Sequence, residues 1–242
     1  MISVCMAVFN GEQYLHAQLS SILEQLRSSD QLIIVNDLST DNTLRIINQF
    51  HDHRICLFNN KSNLGVVKSF ETALQHATGD YIFFSDQDDI WLPGKVDIIL
   101  STFLRTNALA VVTDGIVVNE DLDIMHASFF LLRSSGPGIV NNFIRNTFIG
   151  CCMAIRRDVI GLILPFPRYV PMHDEWAGLI SSICGTVQFV HQPLIMYRRH
   201  SQNVTNLHSG SILFIATKRA KMFFCLMLRL PRLLKYILKY KL

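Results

Sequence analysis

The run Tyr81-Ile82-Phe83-Phe84-Ser85-Asp86-Gln87-Asp88-Asp89-Ile90-Trp91 constrains this chain more than any other stretch. Four apolar or aromatic residues in a row predict a buried strand. Carboxylates then follow at 86, 88 and 89. Unpaired carboxylates are costly to bury, so the strand is expected to end in a cleft, beside a cation or a ligand. Asp86 and Asp88, two apart, suit a hard divalent ion that leaves its other positions to water and phosphate oxygens. An acidic turn with a helix cap is the plain alternative, and the rest of the chain decides between the two.

Upstream, the pattern alternates. Residues 2–8 are strand-like and stop at Phe9-Asn10-Gly11, a turn signal. Leu15, Leu19, Ile22 and Leu26 then fall on one helical face. Leu32–Val35 reads as a second buried strand that runs into the polar segment Asn36–Asp41. Ser39 or Asp41 caps a helix whose buried side carries Leu44, Ile47 and Phe50. A short strand (55–58), a loop (59–65) and a helix with Val67, Phe70, Leu74 and Ala77 turned inward lead to Gly79 and the acidic strand. Strand, helix, strand, helix, strand predicts a parallel sheet with right-handed crossovers, whose ligand lies at the carboxyl ends of the strands. Three polar clusters, at Phe9-Asn10, Asn36-Asp37 and Asp86–Asp88, fall at such ends. Neither G-x-G-x-x-G nor G-x-x-x-x-G-K follows the first strand, so phosphate on this rim is expected to be held through a metal.

Downstream, Pro93 suits the first turn of a helix carrying Val96, Ile99, Leu100 and Phe103 inward. Residues 108–113, 115–118 and 148–155 read as strands, and 134–138 as a loop. The proline-bracketed segment 165–171 delivers His173-Asp174-Glu175-Trp176 to the start of a helix over 174–184. A strand over 187–196, interrupted at Pro193, runs into Tyr197-Arg198-Arg199-His200.

Charge is unevenly placed. Glu175 is the last acid; the ten Lys and Arg beyond it meet none, whereas residues 1–175 carry twelve Lys/Arg against nineteen acids. An acidic body with a basic C-terminal quarter suggests that one end meets an anionic surface. In the tail, Pro231 is expected to start a final helix with Arg232, Lys235 and Lys239 on one face and Leu234, Ile237 and Leu238 opposite. That pattern suits an interfacial helix, with a helix packed on the body as the alternative. No apolar run reaches the roughly 18 residues needed to span a bilayer, and no signal peptide is read at Met1. The six cysteines show no C-x-x-C spacing and read as small core residues. The basic tail lacks any nucleic-acid module or aromatic ladder, so no nucleic-acid partner is expected.

Several motifs in order resemble the family 2 glycosyltransferases, inverting enzymes with the GT-A fold. They are Val8-Phe9-Asn10-Gly11, Val35-Asn36-Asp37-Leu38-Ser39-Thr40-Asp41-Asn42-Thr43, Asn63-Leu64-Gly65, Gly79-Asp80-Tyr81-Ile82 and Asp86-Gln87-Asp88-Asp89. The likeness covers about residues 1–205 and departs at Asn36 and Leu38, where the family pattern has Asp and Gly. His173-Asp174-Glu175-Trp176 and Asp-Gln-Asp-Asp-Ile-Trp resemble the bacterial surface-polysaccharide rhamnosyl- and hexosyltransferases.

The resemblance implies an α/β GT-A fold with a mostly parallel central sheet and C-terminal amphipathic helices. Residues 1–110 would form the nucleotide-sugar half, 111–207 the acceptor half, and 208–242 a membrane-associating tail. Phe9, Asn10, Asp37, Asp86 and Arg199 would bind the nucleotide-sugar, with Asp37 accepting from the base N3–H. Asp88, Asp86 and His200 would hold Mn²⁺ or Mg²⁺, with Asp89 second choice. Asp174 would be the general base, and Trp176 and Gly150 would lie at the acceptor, with core packing as the alternative for Trp176. The implied reaction moves one hexose or deoxyhexose from a UDP- or dTDP-sugar to an undecaprenyl-diphosphate-linked saccharide, at the cytoplasmic face of a bacterial inner membrane. A non-catalytic sugar-nucleotide-binding protein on the same fold is the alternative.

Overall fold

The computed structural model of the chain describes residues 1–201, 203 and 212–240. The alternation expected over the first 90 residues is present: β1 (Ile2–Val8), α1 (Leu15–Leu23), β2 (Gln31–Asn36), α2 (Thr43–Gln49), β3 (Ile55–Asn59), α3 (Val66–His76) and β4 (Tyr81–Ser85). Next come β5 (Ile90–Trp91), α4 (Lys95–Thr106), β6 (Ala110–Val118), β7 (Ile124–His126), α5 (Phe129–Arg133) and α6 (Ile139–Arg145). The chain continues through β8 (Met153–Arg156), α7 (Ile160–Ile163), α8 (His173–Cys184), β9 (Val187–Arg198) and α9 (Ile212–Tyr240). The expected boundary at 207/208 lies outside the described residues.

One sheet runs in the order β3-β2-β1-β4-β8-β6-β9-β5, with β7 added beside β6. The four strands of the first half are parallel. β8 is antiparallel to β4 and β6, β6 and β9 are parallel, and β5 is antiparallel to β9. From β1 the chain winds outward to β2 and β3, then returns to place β4 on the other side. The reversal makes a crevice between the carboxyl ends of β1 and β4, where open α/β sheets bind ligands.

The path from β4 to β5 bends the second half of the sheet. Only residues 86–89 join Ser85 to Ile90, a reach of about 17 Å at full extension. Yet β5 lies four strand spacings away, about 19 Å across a flat sheet. The sheet must therefore curl, and the curl carries the end of β9 back against the acidic turn.

Three expectations change. Residues 150–152 form a helical turn, with β8 confined to 153–156. Close packing explains the turn, since a Cβ on Gly150 would lie 3.0 Å from His173 Nε2 and 3.3 Å from Asp174 Cβ. β6 is one strand through Gly115, and Pro193 sits at a register shift between β6 and β9, which is how a proline is accommodated in a ladder. Helix α9 is continuous through Pro231. Pro231 is exposed, so the carbonyl it leaves unpaired can be hydrated, while its neighbours Arg229 and Leu233 are buried and hold the helix to the body.

The core lies between sheet and helices. Leu15, Leu19 and Ile22 of α1, Phe70 and Leu74 of α3, and Ile99 and Phe103 of α4 are buried with the central strands. Each such side chain is worth about 1.5–3 kcal/mol when removed from water. The six cysteines are free, and all but Cys56 are buried, as expected of small core residues.

Candidate active site

The rim is assembled by side chains that bridge strand ends. Gln87 Nε2 donates to Phe9 O (3.1 Å), and its Oε1 accepts from Phe9 N (2.8 Å), which sews β4 to β1. Asn10, at φ +47°, accepts from Thr40 N (2.8 Å) and donates its own N–H to Ser39 Oγ (3.0 Å). Leu38, standing where the family pattern has Gly, keeps a glycine-like φ of +65°. The Phe9 side chain is 46% exposed, which leaves its ring open to a planar ligand.

Asp37 does more than the sequence suggests. It is buried and accepts from Asn60 Nδ2 (2.7 Å), Leu64 N (2.8 Å) and Gly65 N (2.8 Å). A carboxylate has about four acceptor positions, so three are spent on anchoring the 60–65 loop. Asn36 likewise joins β2 to β3 through Asn59 (3.0 Å).

Around the acidic turn, the curl of the sheet brings sequence-distant groups together. Asp88 Oδ2 lies 2.7 Å from His200 Nε2 and accepts from Asn203 Nδ2 at 3.0 Å. Arg198 N donates to Asp89 Oδ1 (2.9 Å), and Arg198 Nε donates to Asp88 O (2.8 Å). The Arg198 guanidinium stands over the Tyr14 ring, 4.8 Å from which lies the His200 ring. Arg199 donates to the Tyr197 hydroxyl (3.0 Å), at the same strand end. Asp89 is fully buried, and among the described residues its Oδ2 has no hydrogen-bond partner. One oxygen each of Asp86 and Asp89 lies within 4.8 Å of the other and of Cys151 Sγ.

Burial, together with the charges of Asp89, Asp88 and Asp174, pushes the Asp86 carboxyl well above the usual carboxylate range. Burial and Asp88 do the same to Asp89. Carboxylates crowded in this way, one with an orphaned oxygen, are suited to a cation. The predicted ligands Asp88 and His200 are in direct contact and offer oxygen and imidazole donors that fit Mn²⁺ or Mg²⁺.

The opposite wall is the first turn of α8. Asp174 is buried; burial pushes its carboxyl up to about 6, against the pull of the Glu175 and Gly150 N–H groups and of Lys218. It is tied to the acidic turn through residues 150 and 151: a Cβ on Gly150 would lie 3.3 Å from Asp174 Cβ, and Cys151 Sγ is within 4.8 Å of oxygens of Asp86 and Asp89. His173 is buried and stacked on Phe70 with ring centroids 3.7 Å apart, and burial holds it near 3, so it stays neutral.

The acceptor expectation for Trp176 is corrected, and its packing alternative holds. Trp176 is fully buried; its Nε1 donates to Ile163 O (3.0 Å) and its ring lies under Arg229, so it is a core residue and cannot stack on a sugar. Gly150 is also buried and serves as the close-approach point that lets His173 and Asp174 reach the cleft.

Sequence reading missed Gln18, Gln87 and Lys95. Gln18 is fully buried and donates to Ser85 Oγ (2.8 Å) and Asp86 O (2.9 Å). Lys95 is buried, donates to Cys151 O (2.6 Å) and lies over the Trp91 ring. Its charge also acts on Asp86 and Asp89, which makes it a resident counter-cation beneath the acidic turn. Gln18 could have been noticed, because it interrupts the apolar face of α1 one residue before Leu19.

A mixed sheet with its rim at the β1/β4 reversal, an acidic turn and a facing carboxylate defines a nucleotide-diphospho-sugar transferase architecture. The chain belongs to glycosyl transferase family 2, which it matches over residues 3–163. It is 38% identical over 225 residues to the dTDP-rhamnosyl transferase RfbG of Shigella flexneri, covering 82% of this chain and 72% of that protein. It is 29% identical over 179 residues to the Escherichia coli enzyme WfgD, covering 74% of this chain and 68% of that one. WfgD is a UDP-Glc:alpha-D-GlcNAc-diphosphoundecaprenol beta-1,3-glucosyltransferase. The fold matches Staphylococcus aureus TarS, crystallised with UDP-GlcNAc, at a TM-score of 0.68 and 15% identity, over 99% of this chain and 73% of that one. Against a further relative, the putative Bacillus subtilis glycosyltransferase EpsE, the chain spans about half the length, 51%.

Proposed function

We propose that this protein is an inverting glycosyltransferase of bacterial surface-polysaccharide assembly. It would move one hexose or deoxyhexose from a UDP- or dTDP-sugar, such as UDP-glucose, UDP-galactose or dTDP-rhamnose, to an undecaprenyl-diphosphate-linked saccharide. The observation that carries the reading is the Gly150–Cys151 turn that joins Asp174 to the acidic turn: Cys151 Sγ lies within 4.8 Å of oxygens of Asp86 and Asp89, and a Cβ on Gly150 would lie 3.3 Å from Asp174 Cβ. The names of two relatives support these substrate classes: WfgD is named for a diphosphoundecaprenol-linked acceptor and RfbG as a dTDP-rhamnosyl transferase.

In this reading Phe9 stacks on the base, and Asp37 uses its fourth acceptor position for the base N3–H. Asn10 and Arg199 line the donor side. Asp88 and His200, with Asp86, would hold Mn²⁺ or Mg²⁺, which when bound neutralises charge on the departing diphosphate. Asp174 takes the proton from the acceptor hydroxyl as that oxygen attacks the anomeric carbon from the face opposite the nucleotide. A base near 6 is ionised at neutral pH and keeps a strong drive to accept a proton.

The test is nucleoside diphosphate release by purified protein with Mn²⁺. UDP-glucose, UDP-galactose, UDP-GlcNAc and dTDP-rhamnose are each supplied with a synthetic GlcNAc-diphospho-lipid. Release with one donor, dependent on the acceptor lipid, is the expected result. Nucleotide binding without release from any donor, across a panel of such lipids, would point to the non-catalytic alternative.

The tail supports a peripheral site at an anionic membrane, the cytoplasmic face of the inner membrane. Among the described residues no helix is long and apolar enough to cross a bilayer. Helix α9 buries Met222, Cys225, Arg229 and Leu233 against the body, yet exposes Phe223, Met227, Leu234 and Leu238 along another face, with Lys221, Arg232, Lys235 and Lys239 also exposed. Its apolar and basic outer faces together suit an interface with anionic lipid. Replacing Phe223, Met227, Leu234 and Leu238 together with Asn is expected to cut co-sedimentation with phosphatidylglycerol vesicles at least about tenfold, from the apolar area lost. Undiminished binding would rule out this face as the membrane contact.

A further inference from the structure

We propose that Arg219 is a positioning residue for transfer, through which helix α9 fixes the wall that carries Asp174. The inference rests on Asp174 being the base, as argued above. Arg219 Nη1 meets the buried carboxylate of Glu175 and donates to Phe143 O at 2.5 Å. One guanidinium therefore joins α6, α8 and α9 at the first turn of α8, next to Asp174. The Glu175 carboxyl is only 2% exposed and is pushed by burial up to about 7, so it depends on this partner to hold its charge.

Two further arginines of α9 grip the same segment from its upstream end. Arg229 donates to Leu164 O (2.8 Å) and Pro165 O, and its guanidinium lies 5.5 Å from the Trp176 ring. Arg232 donates to Leu164 O at 3.2 Å. Residues 164–176, which deliver Asp174 to the cleft, are thus held by the tail helix at both ends. Because α9 is also the helix with the exposed apolar and basic faces, whatever seats it at a surface bears on the base. The donor rim is built from different elements, the ends of β1, β2, β4 and β9. Loss of Arg219 should therefore separate donor binding from transfer.

The experiment compares Arg219→Met with the double variant Glu175→Gln/Arg219→Met. Acceptor-dependent kcat, acceptor KM, UDP affinity by calorimetry and melting temperature are measured on the full chain. Arg219→Met is expected to leave UDP affinity within about twofold and to lower kcat about 10- to 100-fold, the range for a base displaced by up to an ångström. The double variant, relieved of an unpaired buried acid, should recover melting temperature. Its kcat should stay down about tenfold or more, because the link to Phe143 O is still missing. Recovery of kcat in step with melting temperature would reduce the contact to a folding role and overturn the proposal. So would wild-type kcat in Arg219→Met. Wild-type transfer by Asp174→Asn in the same assay would remove the base assignment itself, and this inference with it.

Discussion

Asp174→Asn is expected to lose about 10²–10⁴-fold in acceptor-dependent kcat while binding the donor nucleotide as the wild type does. An amide fills the same space but cannot take the acceptor proton, and Asp174 belongs to the first turn of α8, not to the strand ends proposed to bind the donor. Two further readouts follow from its burial. With the carboxyl near 6, the wild-type rate should fall about tenfold per pH unit below that value, because only the ionised form is a base. Burial sets this limb, opposed by the Glu175 and Gly150 N–H groups and by the charge of Lys218 of α9. Stability should move the other way. A carboxyl raised from 3.8 to about 6 on folding favours the protonated form, so its contribution is fully present below about pH 4 and lost as pH rises through 6. At pH 8 the wild type bears the cost of an ionised buried acid, and Asn does not. Asp174→Asn should then be more stable by about 1–3 kcal/mol at pH 8, and the gap should narrow at pH 5. Denaturant unfolding at the two pH values checks this. An unchanged kcat would dismiss Asp174 as the base, and an unchanged stability difference would dismiss its burial as the cause of the shift.

The first half of this fold was legible because its signals are local. Apolar strands end in polar residues at Asn10, Asn36 and Asp86, and helix faces repeat at 3.6 residues, so β1 to β4 could be placed and their common rim inferred. The second half depends on contacts that no local pattern reports. The register shift opposite Pro193 let one strand pass where a break was expected, and the packing of Gly150 against α8 turned the start of an apparent strand into a helical turn. The curl that sets His200 on Asp88 follows from a short linker spanning several strands, which is visible only once the strand order is known. Chemical type singled out Asp88, Asp174 and His200, but it left Trp176 open between an acceptor platform and core packing. A tryptophan beside a base looks like a sugar platform, whereas α8 is buried nearly all round and uses this side of the helix for core. Lys95 escaped notice for the converse reason. A lysine in the first turn of a helix reads as solvated, and only the fold shows that the turn lies beneath three acids.

Removing divalent metal with EDTA should abolish transfer, by at least about 10²-fold, and Mn²⁺ or Mg²⁺ should restore it. The expectation comes from charge. A nucleoside diphosphate brings two phosphates to a rim that already holds Asp86, Asp88 and Asp89. Burial and mutual repulsion push Asp86 and Asp89 well above the usual carboxylate range. The buried ammonium of Lys95 offsets part of this, but it is committed to Cys151 O beneath the turn and is out of reach as a phosphate clamp. A divalent ion on Asp88 and His200 would offset the remainder where the diphosphate departs. Asp88→Asn separates the ion from the fold. Its side-chain oxygen can still accept from His200 and Asn203, so the end of β9 should stay in place and the melting temperature should change little. Its lost charge should weaken Mn²⁺ binding by about 10- to 100-fold, read by electron paramagnetic resonance of free Mn²⁺ without any turnover. Full turnover in EDTA would mean that Arg199 meets the phosphate charge without a metal, as phosphate-binding arginines can, and would remove Asp88 and His200 as metal ligands. Unchanged Mn²⁺ affinity in Asp88→Asn, with turnover still metal-dependent, would move the ion to the buried oxygens of Asp86 and Asp89, where the unpartnered Oδ2 of Asp89 stands beside Cys151.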